Sequence, residues 1–411
     1  MRHLPPLSCL LAAALAGAHA SAQSLIGGAH SPATGPILAR QDLCTASERL
    51  CAPLLAPPPA PFAGGTAYDP TRQAVWNTDG VSLVGLSALA DSPCREVFCG
   101  PMAVPVPVGA LACGLAYDET RNALWMIDSS PTLSLLRTSS SSRCPEPASR
   151  CSLANVIPAT HRPGGLAVSE THQLVFWSAS VFGGGAPATV VFVAPAADPC
   201  HVVCRITVLG TVGCAGVPLG PVTGMAYDDC TDRLFVTDGT RTLAATFTPP
   251  CTASRFACCP APLVAPWYGL DVESRHPVTV GRSCLQAPCA ACPNLALDTV
   301  GDPALGNGLF ALRIRGAPLG ALAAVALHPG ACTAGVPLWC GVYHPAALPP
   351  AAVLAVPLAG GAACTANGTL GLPIPLAPGL CGLQLCAQGV LVCPRGGFGL
   401  TNALTLPFSD S

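Results

Sequence analysis

The chain is 411 residues long, 51% hydrophobic and only 10% charged, with a formal net charge of −2. That length accommodates two ordinary domains with an ample core. The near-neutral balance, with all 19 basic residues arginine, excludes the basic patches that nucleic acid or an anionic membrane surface requires.

Residues 1–22 read as a signal peptide. Arg2 and His3 make a short basic start, residues 7–18 are apolar, and Ala20-Ser21-Ala22 before Gln23 has the small-x-small form of a cleavage site. Cys9 sits in a poor lipobox, because Pro6-Leu7-Ser8 leaves almost no apolar stretch ahead of it. Export agrees with the 24 cysteines, more than a reducing cytosol tolerates without metal. Cleavage removes Cys9 and leaves an odd number, which predicts at least one free or intermolecular thiol. Residues 23–35 read as a linker. No membrane span follows, since the most apolar stretch, residues 346–363, is broken by Pro349, Pro350 and Pro357. The mature protein is expected outside the cytoplasm, secreted or at the cell surface.

Residues 36–297 carry a repeat. Its copies are GGTAYDPTRQAVWNTDG from Gly64, CGLAYDETRNALWMIDS from Cys113, GGLAVSETHQLVFWSAS from Gly164, TGMAYDDCTDRLFVTDG from Thr223 and YGLDVESRHPVTVGRS from Tyr268. Gly65, Gly114, Gly165, Gly224 and Gly269 are equivalent, at intervals of roughly 50 residues, the size of a four-stranded propeller blade. Each glycine marks an inner strand passing close to its neighbours near an axis. Alternating apolar residues, a polar turn and a second β-branched or aromatic strand follow, and the period of two favours strands over helix.

The outer half of each unit carries a cysteine pair: Cys44/Cys51, Cys94/Cys99, Cys144/Cys151, Cys200/Cys204 and Cys251/Cys258. Short apolar runs flank them, so each pair is expected to pinch an outer hairpin with a local disulfide worth about 2 kcal/mol. A zinc reading needs CxxC-like spacing with two pairs converging, whereas these gaps are irregular and fall one pair to a blade. Inner and outer hairpins are out of step. The first outer hairpin, residues 37–55, precedes any inner one, and the last inner hairpin, residues 268–281, has no clear outer one after it. The expected fold is all-β: a propeller of five blades with a split closing blade, or six if residues 282–297, with Cys284, Cys289 and Cys292, form a degenerate outer hairpin.

The G-[LM]-A-Y-D-x(6)-[LF] pattern resembles the NHL and YVTN-type propeller repeats. In those families an Asp after the second strand caps a turn, which the resemblance carries to Asp79, Asp128 and Asp238, with Ser178 or Ser180 standing in for it in the third copy. Asp69, Asp118, Asp228 and Asp271 end the first strand, where an Asx-turn is the simplest role.

From 298 to 411 the repeat gives way to short strands separated by Gly and Pro, the pattern of a small β-sandwich-like domain. Gly371-Leu372-Pro373-Ile374-Pro375 followed by Gly382-Leu383-Gln384-Leu385-Cys386-Ala387-Gln388 resembles a C-terminal module of secreted proteins of environmental bacteria. Its six cysteines, Cys332, Cys340, Cys364, Cys381, Cys386 and Cys393, allow 15 connectivities. Cys332 with Cys340 would close a hairpin. Asn367-Gly368-Thr369 is read as a turn.

Candidate chemistry is thin. Glu119, Glu170 and Glu273 share one turn position and read as surface groups, as do Glu48, Glu96 and Glu146 on the rim. A glycosidase needs two facing carboxylates, and no acid here stands outside the repeat. Asn77 and Asp79 are the nearest approach to a metal-holding set. No G-x-S-x-G elbow occurs, and His161, His172, His201, His276, His328 and His344 lack acidic or thiol companions at ligand spacing. No catalytic, cofactor or metal residue is assigned. The expected function is an exported, disulfide-stabilised propeller that binds a protein or glycan, with no nucleic-acid partner. The alternatives are an atypical hydrolase or lyase at the central channel and a structural cell-surface or matrix protein. Convergent acids lining the axis would favour the enzyme.

Overall fold

A computed structural model describes residues 24–31, 35–42, 47–51, 63–87, 97–137, 144–181, 189–208, 219–254, 256–259, 267–273, 277–289, 291–345, 350–360, 362 and 364–409. The chain divides into two units, Ala22–Ser274 and Arg275–Ser409.

The first unit is a five-bladed β-propeller among the described residues, each blade an antiparallel sheet. Blade one runs outward through Gly65–Asp69, Ala74–Thr78, Ser82–Ser87 and Val97–Ala103. Blade two is Ala112–Asp118, Ala123–Asp128, Thr132–Arg137 and Glu146–Ser152. Blade three is His161–Ser169, Leu174–Val181, Thr189–Pro195 and Cys204–Val208. Blade four is Gly224–Asp228, Arg233–Thr237 and Thr242–Thr248, with the short strands Thr252–Ala253 and Ala257–Cys258 sharing its outer edge. The innermost strands of neighbouring blades touch all the way round, so the ring is closed.

The fifth blade is split, with a division different from the expected one. Only Asp271–Glu273 comes from the end of the repeat; Ser24–Ser31, Gly35–Asp42 and Ser47–Cys51 complete the sheet. The segment read as a linker, 23–35, therefore contains the blade's second strand. Its Leu25 and Ile26 are fully buried. Gly27 and Gly28 lie so tightly against Trp267 and Tyr268 that a Cβ on either would strike those rings. Val278–Val280, expected to finish an inner hairpin, instead pairs with residues 403–405 in the second unit. The fifth repeat lacks the aromatic that buries the second strand elsewhere, and an apolar strand with two glycines takes its place.

Six blades are excluded too. Cys284, Cys289 and Cys292 are bonded to Cys340, Cys393 and Cys364, all within the second unit. The boundary expected near 297 thus falls between Ser274 and Arg275.

Hydrophobic cores lie between blades. Ala67, Trp76, Leu83 and Cys99 of blade one pack with Leu115, Leu124, Met126 and Leu136 of blade two. Between blades three and four, Phe176 stacks on Tyr227 at 5.0 Å, and Phe247 meets both rings edge-on. Such aromatic pairs add about 1 kcal/mol each beyond their burial.

The second unit has two larger sheets. Phe398–Pro407 pairs with Val278–Val280 and Cys284–Leu285 on one side and with Gln384–Val392 on the other, followed by Leu322–Pro329 and Ala352–Val356. Ala296–Val300, Ala311–Ala317 and Ala366–Gly371 form the other sheet. A small hairpin joins Val336–Leu338 to Gly341–Tyr343. Asn367-Gly368-Thr369 lies in a strand, not the expected turn, and Asn367 Oδ1 accepts from Gly316 N.

Two residues of the terminal strands tie this unit together. Gln388 is fully buried: its Oε1 accepts from His344 N, and its Nε2 donates to Val342 O and Thr401 O. Asn402 accepts from Leu297 N and donates to Leu297 O. A buried amide with its hydrogen bonds made fixes strand register, because the misregistered alternative leaves it unpaired.

Candidate functional site

The five repeated glycines form a girdle about the propeller axis. A Cβ built on Gly65 would stand 2.7 Å from Leu115 N; on Gly114, 2.9 Å from Leu166 N; on Gly224, 2.7 Å from the Gly269 carbonyl carbon. On Gly165 it would strike Gly224 and Met225, and on Gly269 it would meet Thr66 N at 2.5 Å. Backbone touches backbone around the whole circle, which packs the inner strands of neighbouring blades directly together. Only glycine fits such an approach.

At the end of the inner strand in blades one, two and four the first turn acid folds back on its own turn. Asp69 Oδ1 accepts from Thr71 Oγ1 and Arg72 N, and Asp69 Oδ2 pairs with the Arg72 guanidinium at 2.6 Å. Asp118 repeats this with Thr120 and Arg121 and also accepts from Trp125 Nε1 at 2.9 Å. Asp228 accepts from Cys230 N and Thr231 N. The residue before the second strand is left-handed in four copies: Gln73, Asn122, Gln173 and Asp232 have φ between 47° and 52°. Asp79, Asp128 and Asp238 cap the next turn, accepting from Ser82 N, Ser130 N and Arg241 N respectively. These are the expected roles.

The second turn acid behaves differently. Asp229 reaches from blade four to blade three, accepting from Ser169 Oγ, from Glu170 N at 2.7 Å and from Thr171 N at 3.3 Å. Glu170 in turn reaches to blade two and accepts from Glu119 N at 2.7 Å. Asp271, expected to cap its own turn, instead reaches from blade five to blade one and accepts from Tyr68 N at 2.6 Å. The turn acids read as surface groups are therefore corrected. Glu119 and Glu170 keep only 7% and 4% exposure, and Glu170 and Asp229 bridge blades. Glu146 is exposed as expected, whereas Glu48, Glu96 and Glu273 lie outside the described side chains.

Burial dominates the electrostatics of this ring. It pushes the Glu170 carboxyl up to about 8, helped by the charges of Asp118 and Asp229 and opposed by the Glu119 amide. Asp271 is lifted to about 7 by burial against its two amide donors. Burial raises Asp229 as well, although Ser169, two amides and His172 oppose it. Glu170 Oε2 is buried without a hydrogen-bond partner, as a protonated carboxyl tolerates better than an anion.

His172, read as standing alone, has its Nε2 2.7 Å from Asp232 Oδ1, where Tyr227 Oη also donates. It makes no nucleophile–base pair, because Ser169 Oγ donates to Asp229 while its nearest link to His172 is the backbone amide. Asn77 is fully buried beneath Gly28 and Tyr268, with neither amide atom hydrogen-bonded. Among the described residues no group of three or more His, Cys, Asp or Glu is arranged to hold a metal ion.

The cysteines are joined differently from the expected local pairs. Cys99 is bonded to Cys144, Cys151 to Cys200 and Cys204 to Cys251, each bridge linking one blade's outer strand to the next blade's outer turn. An extended outer strand explains why Cys144/Cys151 cannot close locally. Glu146–Ser152 rises about 3.3 Å per residue, whereas a disulfide needs Cα atoms about 5.5 Å apart. The strand cysteines Cys99, Cys151 and Cys204 are buried at the blade interfaces and extend each core toward the rim. Cys258 is disulfide-bonded, as are Cys230, Cys259 and Cys381, whereas Cys44, Cys51 and Cys94 lie outside the described side chains. In the second unit Cys332 is bonded to Cys386, which corrects the hairpin pairing with Cys340. Cys113 is the free thiol among the described residues. It is buried and donates to Leu111 O, and burial raises it far above the ordinary thiol range.

No protein-family model matches the sequence, and no curated protein does. Solved structures show likeness at low identity. The β-propeller domain of Cps50 (Swd1) from Myceliophteria thermophila is 8% identical, with TM-score 0.30, over 59% of this chain and 72% of that one. The hemopexin-fold protein CP4 from cow pea is 10% identical, with TM-score 0.32, over 49% of this chain and 94% of its own. A chain of a mitotic checkpoint complex is 9% identical, with TM-score 0.27, over 52% of this chain and 81% of that one.

Proposed function

We propose that the chain is an exported, disulfide-belted propeller whose work is to bind a protein or glycan. The observation that carries this reading is the glycine girdle. At the repeated glycines the inner strands of neighbouring blades meet backbone to backbone. The acids that a channel-centred hydrolase would use are buried and spent on neighbouring blades. What a propeller closed in this way offers is its faces, where loops from every blade stand on a rigid ring.

Export rests on the signal-peptide pattern of residues 1–22 and agrees with the disulfides. Kinship with NHL-type repeats agrees with the blade pattern. A purely structural, thiol-linked role fits less well, because Cys113, the free thiol among the described residues, is buried.

The test is a glycan and protein binding screen on residues 23–411, run beside a panel of chromogenic hydrolase and lyase substrates. Saturable binding without turnover is expected. Turnover that disappears in an E170Q/D229N double variant of unchanged fold would overturn the reading.

A further inference from the structure

We propose that Trp339 and Phe398 in the second unit form a stacking platform for the pyranose rings of a neutral glycan. This rests on the binding reading above and names its ligand class and site. The two rings stack with centroids 4.5 Å apart and planes 11° from parallel, yet Trp339 is 45% and Phe398 38% exposed. The chain has five tryptophans, and the other four, Trp76, Trp125, Trp177 and Trp267, are buried. Trp339 alone faces water.

Its position is held from two sides. Trp339 sits in the two-residue turn of the 336–343 hairpin with φ of 53°, a backbone region where Gly or Asn is the ordinary choice. The next residue, Cys340, is bonded to Cys284, which pairs with Leu400 on the strand that carries Phe398. The hairpin tip is thus covalently tied to the strand paired with the platform strand, and little freedom is left to lose on binding.

The platform continues across the sheet. Phe398 lies directly opposite Val392, and Val392 directly opposite Leu322, so the three side chains share one face. Val392 is 41% and Leu322 74% exposed. Adjacent strands about 4.8 Å apart make this an apolar strip roughly 10 Å long, with the Trp339 ring stacked on Phe398 at one end.

Its shape and chemistry select the occupant. A pyranose with equatorial hydroxyls has a flat face of C–H groups that lies on an aromatic ring, and its polar rim stays in water. The four side chains of the strip carry no charge, and the exposed Arg395 in the turn between Val392 and Phe398 is one cation where an anionic lipid surface calls for a cluster. Four side chains also fall well short of the roughly 800 Å² per partner that a stable protein interface buries.

Tryptophan fluorescence of residues 23–411 tests the site, because acrylamide reaches Trp339 and not the buried indoles. Cellohexaose, xylohexaose and chitohexaose are the probes. At least one is expected to shield the quenchable emission at millimolar concentration. W339A should weaken that binding about tenfold, measured by calorimetry, and W339Y should retain most of it. Far-UV dichroism and melting of both variants check that the hairpin persists. Unchanged affinity in W339A overturns the platform and leaves the binding reading standing. Shielding by none of the three probes also overturns it, as does a dimer or a liposome-bound form that W339A abolishes. Failure of every ligand in the wider screen overturns the binding reading itself.

Discussion

Glu170 shows what a single acid contributes when a repeat turns it inward. Its carboxyl holds blade three to the Glu119 amide, but burial between Asp118 and Asp229 raises it to about 8. The folded state therefore grips a proton that the unfolded chain releases near 4.3. Glu170's contribution is fully present below about pH 4 and is lost as pH rises through about 8. Asp271, lifted to about 7, acts with the same sign over a lower window. Glu170→Gln keeps the acceptor for Glu119 and cannot ionise. We expect its melting temperature to match wild type at pH 4. At pH 8 it should lie higher by several degrees, because the unfolded wild-type chain has by then released the proton that the folded carboxyl holds and glutamine has none to lose. Melting curves collected from pH 4 to 9 measure both; a wild-type advantage at pH 8 would mean that the carboxylate itself stabilises the ring.

At the scale of elements the inner strands are governed by glycine. Gly165→Ala drives a methyl into the backbone of Gly224 and Met225 in the next blade, where nothing flexible can yield. Overpacking of this kind costs about 3 kcal/mol. By contrast, Gly371→Ala in an edge strand meets no atom within 4 Å and should change stability by less than about 0.5 kcal/mol. Comparing the two by urea denaturation separates close approach from the general cost of replacing glycine. This girdle was legible in the sequence because every copy repeats its glycine at the same phase as an alternating strand. The closing blade was only half legible. Residues 24–31 carry no repeat motif, and their partnership with Asp271–Glu273 is set by Gly27 and Gly28 fitting beneath Trp267 and Tyr268, a contact between distant ends of the chain. The turn acids misled for a related reason. One residue beyond a strand end normally meets solvent, but here the adjoining blade covers it and supplies backbone amides. An acid kept at one turn offset in Glu119, Glu170 and Asp229 was the available signal.

Across the whole molecule the disulfides decide how the ring resists opening. Cysteines close in sequence suggested pinched hairpins, yet the strands carry the members of each such pair apart and bring successive blades together. The observed bridges span 45, 49 and 47 residues. On the loop-entropy account each therefore stabilises by about 4 kcal/mol, against about 2 kcal/mol for a six-residue local loop. A belt of this kind also bears on the split blade. Among the described residues its inner seam is zipped by the pairing of residues 24–26 with 271–273 and by Tyr268 N donating to Gly28 O, while the bridges join the outer edges of blades one to four. Mass mapping of non-reduced peptides should recover Cys99–Cys144, Cys151–Cys200 and Cys204–Cys251. Recovery of Cys144–Cys151 or Cys200–Cys204 in the native protein would refute the belt. Removing one bridge as C151A/C200A is expected to lower the propeller's melting temperature by on the order of 10 °C. Removing Cys99–Cys144 as well should add its own loss nearly in full, because each bridge closes a different blade-length loop. If the second removal costs almost nothing, the bridges act as one unit and the ring opens at a single seam.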